Sequence, residues 1–430
     1  MLGSEVHTFF PEHVPLRTQE GNGFSCAPKN SSDYANASLW DYPFGLTMPS
    51  RSSNTANPNY TYKFTLYAYD REGRLETQYI YSGERRAWDT EITYIYNRLG
   101  EVTRRKLQVD TYTLYHHYTY TPLGQLKELT PTTDDTVDTE TPEITYTYHN
   151  DRSLKQKTFK SGTTLAHTYD IQGRLERIQA PIFSAEYTYA NNGNITRTDF
   201  YNIDLQQGMQ SYRYRQTYGY DALSRLTSAD YSTLNHQGNP SLSSAYDSEY
   251  TYYRQGNITS LKRNKETGTT IDNVSYTYGL GNRLLSINDA VATTQELWDA
   301  EDASYGYDAN GNMISQSGKI SRITYDHRNL PLNTDLEDGS TLVAHYNAAG
   351  MRVLKEFTPS EGGSSTYTWY VRYGDETLAT IDEKGKINVN VLGQGIEGQW
   401  VDGASPRYFI KDHLGSTRGI VNSQGNSQAS

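Results

Sequence analysis

The sequence predicts an all-β protein: an array of about twelve short hairpins standing side by side as one continuous curved sheet. Three observations predict it. A tyrosine-centred pattern, clearest at Tyr67–Leu75 (YAYDREGRL), recurs about twelve times at spacings of roughly 18 to 32 residues, within the range of repeat architectures. Each copy carries a turn signal just after its central tyrosine. Most copies also have a second tyrosine two residues before the centre, which places both rings on one face of a strand.

The centres are Tyr69, Tyr96, Tyr120, Tyr148, Tyr169, Tyr189, Tyr220, Tyr252, Tyr278, Tyr307, Tyr325 and Tyr346. With the centre as position zero, position one is Asp at Asp70, Asp170, Asp221, Asp308 and Asp326. Position four is Gly in most copies, including Gly73, Gly173 and Gly311, and Asn at Asn282 and Asn329. An Asp carboxylate bonds a backbone N–H two residues on, and Gly or Asn accepts the left-handed backbone region. Asp, two free residues and Gly therefore signal a type I turn closed by a glycine bulge. These Asp and Gly residues are candidates for a structural turn role.

The turn sets the register. Position one should pair with position five, so the central ring should face position six, which is aliphatic or Met in most copies (Leu75, Leu126, Leu175, Ile195). The same register sets Asp70 opposite Arg74, Asp170 opposite Arg174 and Asp221 opposite Arg225. A single hairpin cannot bury its own face, so stability is expected from the array as a whole.

Along the chain, residues 1–59 read as an irregular Ser/Asn/Pro-rich segment containing DYPFG at Asp41–Gly45. Residues 60–357 read as the repeat array. Two stretches, Pro131–Glu143 and Asp230–Asp247, read as solvated insertions. Pro331 stands where the aliphatic partner of Tyr325 is expected, and should break pairing or mark an edge. Residues 358–430 read as further strands ending in DHLGSTR (Asp412–Arg418) and a frayed tail.

Composition narrows the function classes. There are 39 Tyr against 10 Phe, and only 35% of residues are hydrophobic. A face tiled with tyrosine suits a wet surface or cavity better than a dry core. The net charge of −11 opposes nucleic acid and anionic membrane as partners. No run of 18 apolar residues predicts a membrane span, and the N-terminus lacks the pattern of a signal peptide. The single cysteine, Cys26, forms no intrachain disulfide or Cys-based zinc site.

No catalytic, cofactor or metal residues are assigned. His116 and His117 are strand neighbours pointing to opposite faces, so they cannot chelate together. Asp412, His413 and Ser416 are residue types found in hydrolases, but a triad is a matter of geometry. A tight turn with Gly415 supplying the unusual backbone is the simpler reading. No pair of carboxylates stands out as a glycosidase pair, and the chain reads as a non-enzyme.

The tyrosine-aspartate copies resemble the YD repeats of Rhs proteins, and DHLGSTR is similar to the signature of the Rhs-repeat-associated core, as is Trp369–Asp382 (WYVRYGDETLATID). The resemblance spans roughly residues 40–425. It implies a sheet wound into a hollow shell, or an open trough, that encloses a toxin domain in Rhs effectors and serves adhesion in teneurins. In the toxin families the core closes with an aspartate-based self-cleaving motif containing Asp-Pro. This sequence has no Asp-Pro, so self-processing is not expected. DYPFG resembles a segment that normally follows DHLGSTR but here precedes the repeats, as in a rearranged gene or a fragment of a tandem array. The leading expectation is a non-catalytic shell or shell fragment, extracellular or at the cell surface, with a toxin cargo or the rest of the shell on a longer chain. The alternative is a carbohydrate-binding or adhesive module that offers arrayed tyrosines to glycans.

Overall fold

The computed structural model describes residues 64–428, apart from 82–89, 110, 136–140, 205–209, 292–301, 348, 374–375, 402–405 and 423–426. The expected N-terminal segment with DYPFG lies outside the described residues. What is described is nearly all antiparallel β, with one 3-10 turn at Leu280–Asn282. The chain divides into two compact units: residues up to Glu143 with the turn Asn347–Met351, and Ile144–Tyr346 with Arg352–Ser430.

In the first unit, strands Phe64–Tyr69, Leu75–Tyr81, Thr90–Tyr96, Val102–Val109, Tyr112–Tyr120 and Leu126–Thr132 pair in chain order. Ile92, Val109, Leu114 and Leu129 form its fully buried core. In the second unit the strands from Ile144–Tyr148 to Thr417–Asn422 again pair with their sequence neighbours, except that Ser248–Tyr252 pairs with Leu226–Leu234 and not with Pro240–Leu242.

The register follows the turn in all twelve copies. Tyr69 faces Leu75, Tyr169 faces Leu175, and the series continues to Tyr346 opposite Arg352. In the first copy the N–H of Asp70 donates to the carbonyl of Arg74 at 2.9 Å, and the N–H of Gly73 to that of Asp70 at 3.0 Å. A bulge next to the central tyrosine, between Ala68 and Tyr69 in this copy, restores the pairing beyond it. Gly73 has φ +79° and Gly173 φ +78°, and a Cβ on either would meet no atom. The glycine is therefore required for its backbone angle and not for space.

Two copies place a poorly suited residue at that angle, Arg152 (φ 73°) and Ser224 (φ 60°). A non-glycine residue held there costs about 1–3 kcal/mol, against a glycine entropy penalty of about 0.5–1 kcal/mol. Ser224→Gly gives up only an exposed 3.3 Å bond from Asn192. It is expected to stabilise the protein by about 0.5–1 kcal/mol, read as a rise in denaturant midpoint.

The structure corrects several expectations. Tyr325 still faces Pro331, because a proline at the first residue of a strand removes no hydrogen bond the ladder needs there. The Asp230–Asp247 stretch is not a loop: Leu226–Leu234 runs through its start and turns back on Pro240–Leu242. The strand Leu126–Thr132 continues into what was expected to be the acidic insertion. The opposite ends of several hairpins use the same bulged turn without its Tyr-Asp lettering, as at Phe159–Gly162, Lys265–Gly268 and Asp382–Gly385.

The tyrosine face is not uniformly wet. Tyr94, Tyr146 and Tyr187, each two residues before a centre, are buried. Burial in the second unit is concentrated at 144–203 and 378–421. Between them, buried apolar side chains are sparse, and include the small Ala245, Ala303 and Ala344 beside Val274, Ile323, Leu354 and Val371.

Candidate functional site

Two constellations emerge from this scaffold. The first recurs along the array and explains why the centre is tyrosine. The central ring reaches back across its neighbour, and its hydroxyl donates to the position-six carbonyl of the preceding copy. Tyr96 donates to Leu75 O at 2.7 Å, Tyr189 to Leu175 O at 2.6 Å, Tyr252 to Leu226 O at 2.6 Å and Tyr307 to Leu284 O at 2.8 Å. That carbonyl sits beside the bulge, where the strand ladder is locally interrupted. Phenylalanine would fill the same volume and leave it without this donor.

Arginine completes the staple. The Arg174 Nε donates to Asp170 Oδ2 at 2.7 Å, its guanidinium lies 4.5 Å from the centroid of the Tyr189 ring, and Nη1 donates to Ala190 O at 3.3 Å. Arg74 with Tyr96 and Arg225 with Tyr252 repeat the stacking at 4.7 Å. The backbone N–H and guanidinium of Arg225 hold the Asp221 carboxyl below the usual carboxylate range. At Asp308 an asparagine takes the arginine's place: Asn312 bonds Asp308 and also Asn329 in the next turn. Asp70, Gly73, Asp170, Gly173, Asp221, Asp308 and Gly311 thus all lie at hairpin tips.

The second constellation lies where strands Gly395–Val401, Arg407–Lys411 and Thr417–Asn422 pack on hairpins 144–203. Asp412–Ser416 is itself a bulged turn of the repeat type. The Asp412 N–H donates to Ser416 O at 3.0 Å, the Gly415 N–H to Asp412 O at 3.0 Å, and Gly415 has φ +82°. The Asp412 carboxylate is fully engaged. Oδ1 accepts the N–H groups of Leu414 and Ser416, and Oδ2 accepts Arg418 Nε at 2.8 Å. The His413 ring meets the Tyr187 ring edge-on at 4.5 Å, and Arg418 lies over Phe200. Asp412 orients the turn and the arginine.

Next to it, Lys157 Nζ bonds both oxygens of Glu397 at 2.8 and 2.7 Å. The Glu397 side chain is 3% exposed and that of Lys157 13%. Glu397 also accepts the Gln394 N–H at 3.1 Å, while Gln394 Nε2 donates to the Tyr148 hydroxyl at 2.6 Å. Burial and the charge of Glu397 push the Tyr148 hydroxyl up to about 12, and burial foremost pushes the Tyr146 hydroxyl well above the ordinary tyrosine value. Burial, aided by Lys157, drives His167 down to about 4. Nothing in the local lettering of Glu397 or Lys157 marks them as partners; they are 240 residues apart.

His116 is buried and His117 half-buried, on a strand where they face Arg105 and Arg104. Among the described residues no three His, Cys, Asp or Glu side chains gather as metal ligands would.

No family model matches the sequence, and no curated protein does. Solved structures match the fold. The chain is similar to one described as TcdB2-TccC3-Cdc42, with TM-score 0.63 and 16% identity over 85% of this chain and 20% of that one. A second, TcdB2-TccC3, matches with TM-score 0.62, the same identity and the same coverage. The chain spans about a fifth of the length of these relatives. The antiparallel hairpin array described above is thus a fold shared with part of the TcdB2-TccC3 chains.

Proposed function

We propose that this chain is a wall-forming, non-catalytic module of an Rhs-type toxin shell or related secreted surface protein. On this reading its role is to enclose, with the cargo or the remainder of the shell on a longer chain. The observation that carries it is the staple. The conspicuous aromatic and charged side chains of the repeat join one hairpin to the next, which is what a wall requires and a substrate site does not. The shared fold with TcdB2-TccC3 supports it, as does the YD lettering followed by DHLGSTR. The absence among described residues of a helix long and apolar enough to cross a membrane is compatible with it. A glycan-binding role for the tyrosines has less support, because the central hydroxyls are committed to backbone carbonyls.

Single-particle images of the negatively stained chain test the reading. A curved wall around a stain-filled space is expected. A solid compact particle would contradict it.

A further inference from the structure

The most exposed apolar side chains share one local setting. Among the described residues six large apolar side chains are at least 63% exposed, namely Leu99, Leu123, Ile171, Leu223, Leu280 and Leu414, and no other exceeds 51%. All six sit at position two or three of a bulged turn, just ahead of the positive-φ residue that closes it. The turn does not ask for them, since the middle of a type I turn accepts most residues. The opposite ends of the strands supply the control. The turns Phe159–Gly162, Asn235–Gly238, Lys265–Gly268, Leu336–Gly339 and Asp382–Gly385 make the same hydrogen bonds. Their middle positions hold only polar or charged residues, such as Lys160, Glu266 and Glu383. Singly exposed apolar residues are ordinary on a protein surface. A bias to one edge of a sheet, against the same turn on the other edge, is not something folding demands.

Within the Ile144–Ser430 unit, successive tips of this edge alternate. Ile171 is followed by the Asn191–Asn192 tip, Leu223 by the Arg254–Gln255 tip, and then comes Leu280. Neighbouring strands stand about 4.8 Å apart, so tips two hairpins apart lie roughly 19 Å apart along the sheet. The staples hold that spacing. Arg174 Nη1 bonds Ala190 O, Asn192 Nδ2 bonds Ser224 Oγ, Arg225 Nη1 bonds Tyr253 O at 2.7 Å, and the Tyr253 ring meets the Tyr278 ring edge-on. The tips are also close to neutral. The chain carries a net charge of −11, but here Asp170 and Asp221 are ion-paired to Arg174 and Arg225 at 2.7 and 2.6 Å.

We propose that the Tyr-Asp edge of this unit docks on a zwitterionic lipid surface, with Ile171, Leu223 and Leu280 seated below the headgroups and the Asn192 and Arg254 tips among them. A protein interface is a contiguous patch with a packed centre, and single aliphatic side chains separated by polar tips offer no such centre. A second copy meeting this edge would set protruding tips against protruding tips. A bilayer needs no preformed recess: its fluid boundary admits isolated apolar side chains to a depth of about 5–10 Å. Paired charges at the tips suit neutral headgroups, whereas the chain's overall negative charge opposes an anionic surface. Docking of this kind requires no spanning segment. The inference rests on the lettering of one edge and stands whether or not the chain encloses a cargo.

Flotation of the full chain with vesicles of pure phosphatidylcholine tests it. The chain is expected to float with the vesicles. Ile171→Ser, Leu223→Ser and Leu280→Ser should each lower partitioning roughly five-fold, and the three combined about 100-fold. The variant I171W/L223W/L280W should bind at least as well as the parent, because tryptophan favours the membrane interface. It also keeps the test open should serine disturb the turns. The opposite-edge variant K160S/E266S/E383S should bind like the parent. A parent that does not float overturns the proposal, as does a triple serine variant that floats equally well. Stronger binding when phosphatidylglycerol is added overturns the choice of a neutral surface. Sedimentation in which the parent self-associates without floating, and the triple serine variant stays monomeric, assigns the edge to a second copy and overturns the proposal as well.

Discussion

Lys157→Ala is expected to destabilise the Ile144–Ser430 unit by about 3–5 kcal/mol, among the largest effects of any single substitution in the chain. Glu397 is almost fully buried and receives both of its side-chain bonds from Lys157 Nζ. Removing the lysine leaves a carboxylate in a buried place lined by Tyr146 and Tyr148, with no bonded positive charge to balance it and only neutral donors such as the Gln394 N–H beside it. The cost comes from the stranded charge and not from the lost attraction. The double variant K157M/E397L removes both charges and keeps the volume, so it should return stability to within about 1 kcal/mol of the parent or exceed it. Denaturant midpoints of the three proteins check this. Equal losses in the single and double variants would mean that shape, not charge, holds the contact.

Gly398→Ala should cost about 3 kcal/mol, the upper end of overpacking penalties. Gly398 faces Tyr408 across the ladder between Gly395–Val401 and Arg407–Lys411. A Cβ there would stand 2.2 Å from Arg407 O and 3.0 Å from Tyr408 Cα. All of these neighbours are backbone, so no side chain can swing aside. The strand carrying the fully buried Tyr408 and Ile410 would have to shift, and with it the ring contact to Phe159. Gly173→Ala provides the contrast. Its Cβ meets nothing, and the cost is confined to a φ of +78°. Thermal melts should separate the two, with Gly398→Ala the more damaging. A melt for Gly398→Ala at or above that of Gly173→Ala would show that the two strands are not so tightly apposed.

The repeat lettering made the hairpin legible because turn chemistry is local. Asp at position one and Gly at position four set the turn, and the turn sets the tyrosine against position six. The bulge explains why Pro331 is tolerated opposite Tyr325. At position six the chain has only just re-entered the ladder, so a missing N–H does no harm. Turns such as Lys265–Gly268 are not legible in the repeat lettering because they share the glycine but not the tyrosine. The purpose of the tyrosine hydroxyl was not legible either. Its acceptor is a backbone carbonyl, which has no letter in the sequence. Least visible was the Lys157–Glu397 contact, since only the folding-back of the last strands brings those two positions together. The burial of Tyr146 and Tyr187 follows from that same covering, and composition alone pointed the other way.

The central claim is that hairpins are joined to one another through the central tyrosine hydroxyls. Equilibrium unfolding of Tyr189→Phe, Tyr220→Phe and Tyr252→Phe, singly and combined, tests it most directly, with Tyr212→Phe as an exposed control. Each of the three loses a donor to a neighbouring carbonyl and should cost about 0.5–1.5 kcal/mol. The combined variant should lose roughly the sum, and Tyr212→Phe should be neutral. If all four behave alike, or the triple variant is as stable as the parent, the hydroxyls do not hold the array together.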